Sequence, residues 1–585
     1  MTIREEIKSA VAKAVADKGD SIEFTVEVPE NANYGDYATN VALILVPRYD
    51  SGQSPMEIAN EIISKLEIQN SKFIDKVEVV NGFINFYLKP EFIQGQVKEI
   101  LKQNKKYGSN KIGKGKTVII DYSSPNIAKK MHVGHLRSTI IGAAIYNVYK
   151  FLGYKVVGDN HLGDWGKQFG IMLAGISKYK YDPKKMNTQD MLDVYVKFNN
   201  EMKNDLTLDE WARNEFKDLE NNFREYNNHS RKEKYNTENI KTWETLREKS
   251  LEEFEKIYNM LGIKFDEYNG ESHYESVFGE VVKDCETLNL DGKDEKYFLS
   301  NGAYLINLDE FGLDPLLIKK SDGATLYATR ELATIKERAK DSPEKIIYVV
   351  GNEQSLHFQQ SFQAAELLNY ISKDKLIHVK FGLILDENHK KLATRTGRFI
   401  GAEDLINQII ELAEKIIKEK NPSLSEKERK NVAKAVGIGA LKYNDLYQNR
   451  QSDIVFNWNR MLSFDGNSAP YILYTYVRLQ SILGKTKFAG SFKSEFLKEN
   501  EELNVIKELI KFPDVVEDSA ESFQMNNLAN YLYDLASLAN NFYEKFNILK
   551  VDHDTRGARL ALIKAVTIVL KNGLNLLGIN TIEKM

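Results

Sequence analysis

The sequence has one cysteine, Cys285, among 585 residues, and only 11 prolines and four tryptophans. A lone cysteine can form neither an intrachain disulfide nor a cysteine-based zinc site, and it fits a reducing cytoplasm. No apolar run approaches the roughly 18 residues that a membrane span needs, and the N-terminal residues mix acids with bases instead of forming an apolar signal segment. We therefore expect a cytoplasmic protein without membrane contact and without a structural metal.

Neither sign of charge predominates, because the sequence has 80 Lys and Arg and 84 Asp and Glu, for a net charge of −4 at pH 7. This balance argues against a protein that coats nucleic acid through bulk charge, and DNA is not an expected partner. RNA binding through a local basic face remains open. The length exceeds what one hydrophobic core serves and predicts about three to five domains.

The periodicity of apolar residues divides the chain. Residues 1–112 combine a helical pattern at 4–16 with alternating strand patterns at 22–28 and 83–87, which is typical of an α+β domain. A linker rich in Lys and Gly, at 102–116, overlaps the end of this segment and connects it to the next domain. We predict an N-terminal domain at 1–112, a catalytic domain at 113–400, a helical connection at 401–455 and a second helical domain at 456–585.

Short apolar runs at 118–120, 154–157, 346–350 and 381–385 alternate with helical patterns. Such alternation predicts a doubly wound parallel sheet of the Rossmann type, with its ligand at the carboxyl ends of the strands. Residues from about 175 to 300 interrupt it with helical spacing and are interpreted as an insertion. After about residue 400 we predict helices and no strand.

A histidine segment follows the first predicted strand and opens a helix. It comprises Pro125, Asn126, Ile127, Ala128, Lys129, Lys130, Met131, His132, Val133, Gly134 and His135. His132 and His135 are three residues apart, so we expect them on one helical face, and Gly134 lets a ligand approach the backbone. A helix N-terminus offers free N–H groups to phosphate, and imidazoles can donate to its oxygens in a transition state.

A basic loop at 390–397 follows the last predicted strand of the sheet. It contains Lys391 and Arg395. Most charge runs are only solvated surface, but cations placed beside the same sheet as the histidine segment can stabilise a leaving pyrophosphate. The two segments together predict an ATP site.

This pair of motifs resembles the signatures of class I aminoacyl-tRNA synthetases, and the surrounding residues are most similar to the arginyl-tRNA synthetases. The similar stretches are 33–40, 121–139, 160–170, 327–330, Gln354 with His357 and Phe358, 462–471 and 559–585. The resemblance implies that L-arginine reacts with ATP, accompanied by Mg²⁺, to give arginyl-adenylate, which then passes arginine to tRNA(Arg). It also implies a monomer, tRNA contacts of the N-terminal domain, and a first step that needs tRNA.

The resemblance also assigns residues. Around ATP it implies His132, Gly134, His135, Lys129, Lys391, Arg395 and His357. Around arginine it implies Asp121, Ser123, Asn126, Tyr327, Glu331 and Gln354. At the tRNA it implies Tyr471, Tyr474, Arg478 and Met585. A guanidinium has planar donors that match carboxylates in paired hydrogen bonds, so a pocket with two acids suits arginine and rejects lysine.

Two positions depart from the family pattern. Many relatives have Glu where Asp121 stands and Asp where Glu331 stands, and we hypothesise that the exchanged lengths compensate each other, so that Glu331→Asp weakens arginine binding. Thr394 replaces a lysine of the basic loop, and the resemblance implies that Lys129 substitutes for it. Lys129→Ala is then expected to slow adenylate formation by roughly 10²–10³-fold.

Three other functions fit parts of the sequence. An inactive RNA-binding relative is disfavoured by the intact histidine segment and Lys391. A nucleotidylyltransferase has no need of a helical C-terminal tRNA domain. A synthetase for another amino acid is disfavoured by the two acids, Tyr327 and Gln354.

Overall fold

The computed structural model describes residues 2–16, 22–29, 31–48, 53–66, 71–228, 237–289, 296–320, 326–386, 388–390, 400–486, 490 and 492–585. The helices are α1 (Ile3–Ala14), α2 (Val41–Leu45), α3 (Pro55–Lys65), α4 (Pro90–Gln103), α5 (Val133–Phe151), α6 (Lys167–Tyr179), α7 (Thr188–Met202), α8 (Leu206–Asn228), α9 (Glu238–Leu261), α10 (Glu275–Thr287), α11 (Tyr327–Ala339), α12 (Ser355–Leu367), α13 (Ala402–Lys420), α14 (Glu426–Leu446), α15 (Trp458–Met461), α16 (Ala469–Gly484), α17 (Asn500–Ser522), α18 (Met525–Lys545) and α19 (His553–Leu576). The strands are β1 (Val26–Glu27), β2 (Tyr37–Thr39), β3 (Ile74–Val80), β4 (Phe83–Leu88), β5 (Thr117–Asp121), β6 (Lys155–Asp159), β7 (Tyr297–Ser300), β8 (Ala303–Ile306), β9 (Leu316–Lys319), β10 (Lys345–Tyr348), β11 (Leu376–His378), β12 (Ile384–Leu385) and β13 (Ile454–Val455). None of these helices is long and apolar enough to cross a membrane.

The N-terminal region is a four-stranded antiparallel sheet with helices packed on it. Its strand order is β1-β2-β4-β3. Asn81 and Gly82 connect β3 to β4 with φ of 52° and 83°, as a tight hairpin turn of two left-handed residues requires. The helix and the second strand predicted here are present. The strand predicted at 22–28 is reduced to Val26–Glu27, because its partner β2 is only three residues long.

A four-stranded parallel sheet forms the centre of the catalytic region, with the order β11-β10-β5-β6. The chain moves from β5 to β6 on one side and returns to β10 on the other, so the strand order reverses beside β5. Such a switch point leaves a crevice at the carboxyl ends of the strands. Asp121, Asp159 and Tyr348 are paired residues at those ends.

The fourth strand of this sheet differs from the prediction. The sheet uses Leu376–His378, which the sequence pattern did not reveal, and not residues 381–385. Of the predicted run, Ile384–Leu385 pairs instead with Ile454–Val455 in a separate two-stranded parallel sheet. The expectation of no strand beyond residue 400 is therefore also wrong. Short apolar runs do not tell which partner they will pair with.

The insertion is helical from α7 to α10, as predicted, but it is followed by a three-stranded antiparallel sheet, β7-β8-β9, that begins within the predicted helical range. Asn301 and Gly302 turn β7 into β8 with positive φ. This Asn-Gly pair was the available hairpin signal.

The C-terminal region is a bundle of helices. Ser425 and Glu428 form the predicted capping box at the start of α14. Helices α16, α18 and α19 pack on one another, and their buried Leu, Ile, Val and Ala side chains continue the core of the catalytic region.

Candidate active site

A cavity of about 560 Å³ opens at the carboxyl ends of the parallel strands. Nine of the predicted site residues line it: Asp121, Ser123, Asn126, His132, Gly134, His135, Tyr327, Glu331 and Gln354. Lys129 and His357 do not line it, and Lys391 and Arg395 lie outside the described residues. The fold thus gathers residues more than two hundred positions apart into one site.

The two histidines meet at the beginning of α5. His132 is the N-cap rather than a helical residue, and its ring lies 3.9 Å from that of His135, centroid to centroid. The backbone N–H of Gly134 donates to His132 Nδ1, and the N–H of His132 donates to His135 Nδ1, both at 3.1 Å. Since both Nδ1 atoms accept, each neutral ring carries its proton on Nε2. These two backbone hydrogen bonds therefore make both imidazoles Nε2 donors on the cavity wall.

Both rings are uncharged at neutral pH. Burial lowers the pKa of His135 to about 3, with further lowering by His132 and Lys129. Burial, then the charge of Lys129, lowers the pKa of His132 as well. Neutral imidazoles remain hydrogen-bond donors without adding a fixed charge beside Lys129.

The lowered pKa of His135 predicts a loss of stability in acid. The unfolded ring takes up a proton below about pH 6.5 and the folded ring only near 3, so its stabilising contribution is full above 6.5 and falls as pH decreases. Between pH values of about 6.5 and 5.5 the loss should be about 1 kcal/mol. His135→Asn keeps an acceptor for the His132 N–H but cannot titrate. Denaturant unfolding at two pH values should show a smaller acid-induced loss for this variant, and equal losses would contradict the assignment.

The chain between β5 and the histidines is a strained turn. Ser123, Ser124 and Ala128 all have positive φ, at 74°, 46° and 59°, where non-glycine residues are rare. Such strain persists only when surrounding contacts impose it. Within this turn, the Asn126 side chain packs so closely on Gly163 that any Cβ at Gly163 would collide with it.

Ser123 is held by the protein itself. Its N–H donates to Ser138 Oγ at 2.8 Å, and its hydroxyl accepts from Thr139 at 2.8 Å and lies 2.8 Å from the hydroxyl of Tyr258. The Ser123 side chain thus helps to fix the turn, and the arginine contact that the resemblance implies for it stays a prediction. Ser123 also lines the cavity.

Asp121 is also engaged within the protein. Its Oδ2 accepts from Arg338 Nη2 at 2.9 Å, and its Oδ1 accepts from the Ser124 hydroxyl at 2.7 Å. The same Nη2 lies 2.7 Å from Asp159 Oδ2. An internal arginine therefore offsets one of the two negative charges of Asp121 and Asp159 at this part of the cavity floor. The compensation hypothesis for Asp121 and Glu331 stays a prediction, in which Asp121 would act on arginine while it is paired with Arg338.

Glu331 is different. It is 5% exposed, and its Oε1 has no hydrogen-bond partner among the described residues. Its Oε2 is 4.0 Å from Nε2 of His357, whose ring packs 4.5 Å from that of Tyr327. Burial raises the pKa of Glu331, but His357, His161 and Arg338 outweigh it, so the net direction is downward. Glu331 is a buried, ionised carboxylate ready for a cation, and His357 lies with this half of the site rather than with the phosphate half.

The cavity contains further groups that the sequence analysis did not assign. Glu271 lines it and pairs with Arg330 Nη1 at 2.9 Å. His161 lines it and donates from Nδ1 to the Asn269 carbonyl at 2.7 Å; burial lowers its pKa, but Asp121 and other acids raise it overall. His161 and Glu271 both occur within or beside polar stretches of the sequence. That polarity was the available signal of a functional role, but it is the fold that brings the two side chains to the cavity.

Lys129 lies at the edge of the site. Its ammonium is 5.2 Å from the ring centroid of Tyr195 in the insertion, and burial lowers its pKa. Its charge still acts on both histidines. Lys129 is thus an outer cation of the histidine turn rather than part of the described wall.

The predicted tRNA residues lie in and around the C-terminal bundle. Tyr474 is 41% exposed, and the Arg478 guanidinium carbon lies 5.1 Å from its ring and 5.4 Å from that of Tyr543. Tyr471 is half-buried and accepts from Asn540 Nδ2 at 3.0 Å, and the Met585 carbonyl accepts from Asn421 at 3.1 Å. Tyr474 therefore presents an exposed aromatic ring beside the half-buried guanidinium of Arg478, whereas Tyr471 and Met585 make internal contacts.

A switch-point cavity with a histidine pair at the start of α5, beside a bundle of C-terminal helices, defines a class I aminoacyl-tRNA synthetase. The family described as "tRNA synthetases class I (R), catalytic domain" matches residues 96–458. The DALR anticodon binding domain matches 472–585, and the arginyl tRNA synthetase N-terminal domain matches 1–88.

Individual relatives agree. The arginine–tRNA ligase of Halothermothrix orenii is 39% identical over 593 residues, covering 100% of this chain and 99% of that protein. That of Clostridium kluyveri is 40% identical over 577 residues, with 96% of each covered. The solved arginyl-tRNA synthetase of Plasmodium falciparum superposes with a TM-score of 0.82 at 27% identity, covering 100% of both chains. The chain belongs to the arginyl-tRNA synthetase family.

Proposed function

We propose that the cavity activates L-arginine with ATP and passes it to the 3′ end of tRNA(Arg), which makes the protein an arginine–tRNA ligase. The observation that carries the choice of arginine is Glu331, a buried ionised carboxylate with an unpartnered oxygen among the described residues. A guanidinium supplies the paired donors that such a group lacks. Tyr327 and Gln354 complete this half of the site, and the exposed amide of Asn126 is suited to the α-amino group or carboxylate of the substrate.

The other half of the cavity binds ATP. His135 and His132 donate from Nε2 toward the phosphates, and the N-terminus of α5 adds its partial positive charge. Lys391 and Arg395 are assigned to the same phosphates from sequence alone. Magnesium enters with ATP as part of the nucleotide substrate; the described residues contain no cluster of three metal-binding side chains. As the carboxylate of arginine attacks the α-phosphate and pyrophosphate leaves, these donors stabilise the developing charge.

Pyrophosphate exchange with each of the amino acids, with and without tRNA, tests the proposal. Exchange should require arginine and should depend on tRNA. Exchange with another amino acid would mean that the pocket activates that amino acid instead of arginine. The absence of exchange under every condition would favour an inactive RNA-binding relative.

The regions outside the cavity are assigned by the same proposal. Tyr474 and Arg478 contact bases of the anticodon loop, since unstacked bases bind aromatic faces and guanidinium planes. The N-terminal domain contacts another part of the tRNA. The enzyme acts as a cytoplasmic monomer, with domains at 1–112, 113–400, 401–455 and 456–585.

Lys129→Ala is expected to slow adenylate formation about tenfold, less than the sequence alone suggests, because the ammonium lies on Tyr195 instead of the cavity wall. Single-turnover adenylate formation with tRNA present measures the effect. Lys130→Ala, which changes the exposed neighbour, is the matched control. A loss in the rate of adenylate formation below threefold would show that Lys129 does not act on the phosphates.

A further inference from the structure

Several buried polar side chains of helix α14 are not used by the proposed chemistry, and three of them make contacts beyond the helix. Lys442, Tyr443 and Asp445 are 3%, 1% and 4% exposed. Asp445 pairs with Arg137 of α5 at 2.9 Å, and the Tyr443 hydroxyl lies 2.8 Å from the Ala529 carbonyl in α18. One helix thus contacts both the histidine helix and the anticodon-binding bundle. Burying polar groups is costly unless each is satisfied, so these contacts fix α14 closely.

Lys442 joins two helix ends that belong to different regions. Its ammonium donates to the Leu261 carbonyl, the last residue of α9, and to the Gly578 carbonyl, two residues beyond α19, both at 2.6 Å. Both acceptors are backbone carbonyls at helix C-termini, where the partial negative charge favours a cation. Burial lowers the pKa of Lys442 to about 8. The side chain therefore ties the insertion to the end of the anticodon-binding domain.

Helix α9 leads from Lys442 to the active site. Tyr258 lies one turn before Leu261 and is 2% exposed. Its hydroxyl is 2.8 Å from Ser123 Oγ and accepts from Asn160 Nδ2 at 3.0 Å. Asn160 Oδ1 in turn accepts from the Ser124 N–H at 3.1 Å. A small movement of α9 would thus act on the strained turn that precedes Asn126.

The end of α19 is held from a second side as well. Asn147 of α5 donates to the Asn575 and Leu576 carbonyls at 3.4 and 3.3 Å, at the end of α19. Gly578 has φ of 69°, and its Cα faces Lys442 so closely that a Cβ would lie 3.2 Å from the ammonium. The end of the anticodon-binding bundle is therefore packed directly on the catalytic region.

We propose that Lys442 is a positioning residue that couples anticodon binding to the Ser123–Ser124 turn through α9 and Tyr258. The inference rests on the proposed function, because it concerns arginine transfer to tRNA. Binding of the anticodon loop shifts the bundle, Lys442 transmits the shift to the end of α9, and the turn then places Asn126 for arginine. The tRNA-binding surface itself is untouched by this residue.

Lys442→Met tests the coupling, with kcat and KM measured on tRNA(Arg) and on the same transcript with one anticodon base changed. Coupling energies between sites correspond to about 5–150-fold, so we expect kcat on the cognate tRNA to fall about tenfold with its KM within about twofold. On the changed transcript kcat should stay within about twofold, so that discrimination in kcat collapses. Lys434→Met, an exposed lysine on the same helix, is the control and should retain discrimination.

A merely structural role would lower kcat equally on both transcripts, and that result, a loss confined to KM, or no loss would overturn the proposal. Tyr258→Phe removes only the hydroxyl at the other end of the route and should reduce discrimination in the same way, which keeps the test decisive if Lys442→Met does not fold. The double variant should lose no more than the larger single loss, because the two residues act on one route. Failure of the proposed function itself would appear separately, as absent arginine transfer by the unmodified enzyme.

Discussion

Replacing Glu331 by glutamine is expected to raise the KM for arginine about a hundredfold and to leave the KM for ATP within about twofold. The variant keeps the size of the side chain and one acceptor oxygen, but it replaces the other oxygen with an NH2 donor and removes the charge. A buried guanidinium left without its counter-charge costs about 3 kcal/mol, which corresponds to that factor. Asp121 is engaged by Arg338 and Glu271 by Arg330, so no other buried acid described at the cavity wall is equally free to replace Glu331.

Steady-state kinetics of pyrophosphate exchange, with arginine and ATP varied separately, measure this effect. Glu353→Gln is the matched control, because Glu353 lines the same cavity but is exposed, and its KM for arginine should change less than about threefold. Equal effects of the two variants would show that the cavity attracts arginine by general charge rather than through Glu331. Glu331→Asp should lie between, since a shorter side chain keeps the charge but lengthens the contact.

The structure explains which parts of this site could be predicted. The histidine turn is local: strand, turn, N-cap and helix occur within about twenty residues, and each leaves a pattern in the sequence. Glu331 lies far away and was assigned through resemblance, not through any pattern of its own. The partner of Asp121 could not be predicted, because Arg338 comes 217 residues later and reads as one of many helical arginines.

The same distinction holds for the fold. Residues 118–120 and 381–385 look alike as short apolar runs, yet the first is central in the parallel sheet and part of the second pairs with a strand some seventy residues later. Pairing depends on contacts across the whole chain, which short-range periodicity does not encode. Lys442 shows the limit most clearly, since its acceptors are 181 and 136 residues away in opposite directions.

The hydrogen bonds of the histidine turn allow its structural and chemical roles to be separated. In His135, Nδ1 accepts the His132 N–H, while Nε2 is the proposed donor to phosphate. Asparagine places its side-chain oxygen near the position of Nδ1, and glutamine extends its amide toward that of Nε2. His135→Asn therefore preserves the cap and removes the donor, whereas His135→Gln preserves a donor and weakens the cap.

His135→Asn is expected to slow adenylate formation by about 10²–10³-fold, the loss typical of a transition-state donor, with substrate KM values little changed. His135→Gln should lose only about tenfold in rate, but about 1 kcal/mol in stability through the weakened cap. Single-turnover adenylate formation and denaturant unfolding measure the two effects, with His273→Asn at an exposed position as the control. If the glutamine variant proved slower than the asparagine variant, His135 would act by fixing the start of the helix. Other groups would then have to stabilise the charge of the leaving pyrophosphate.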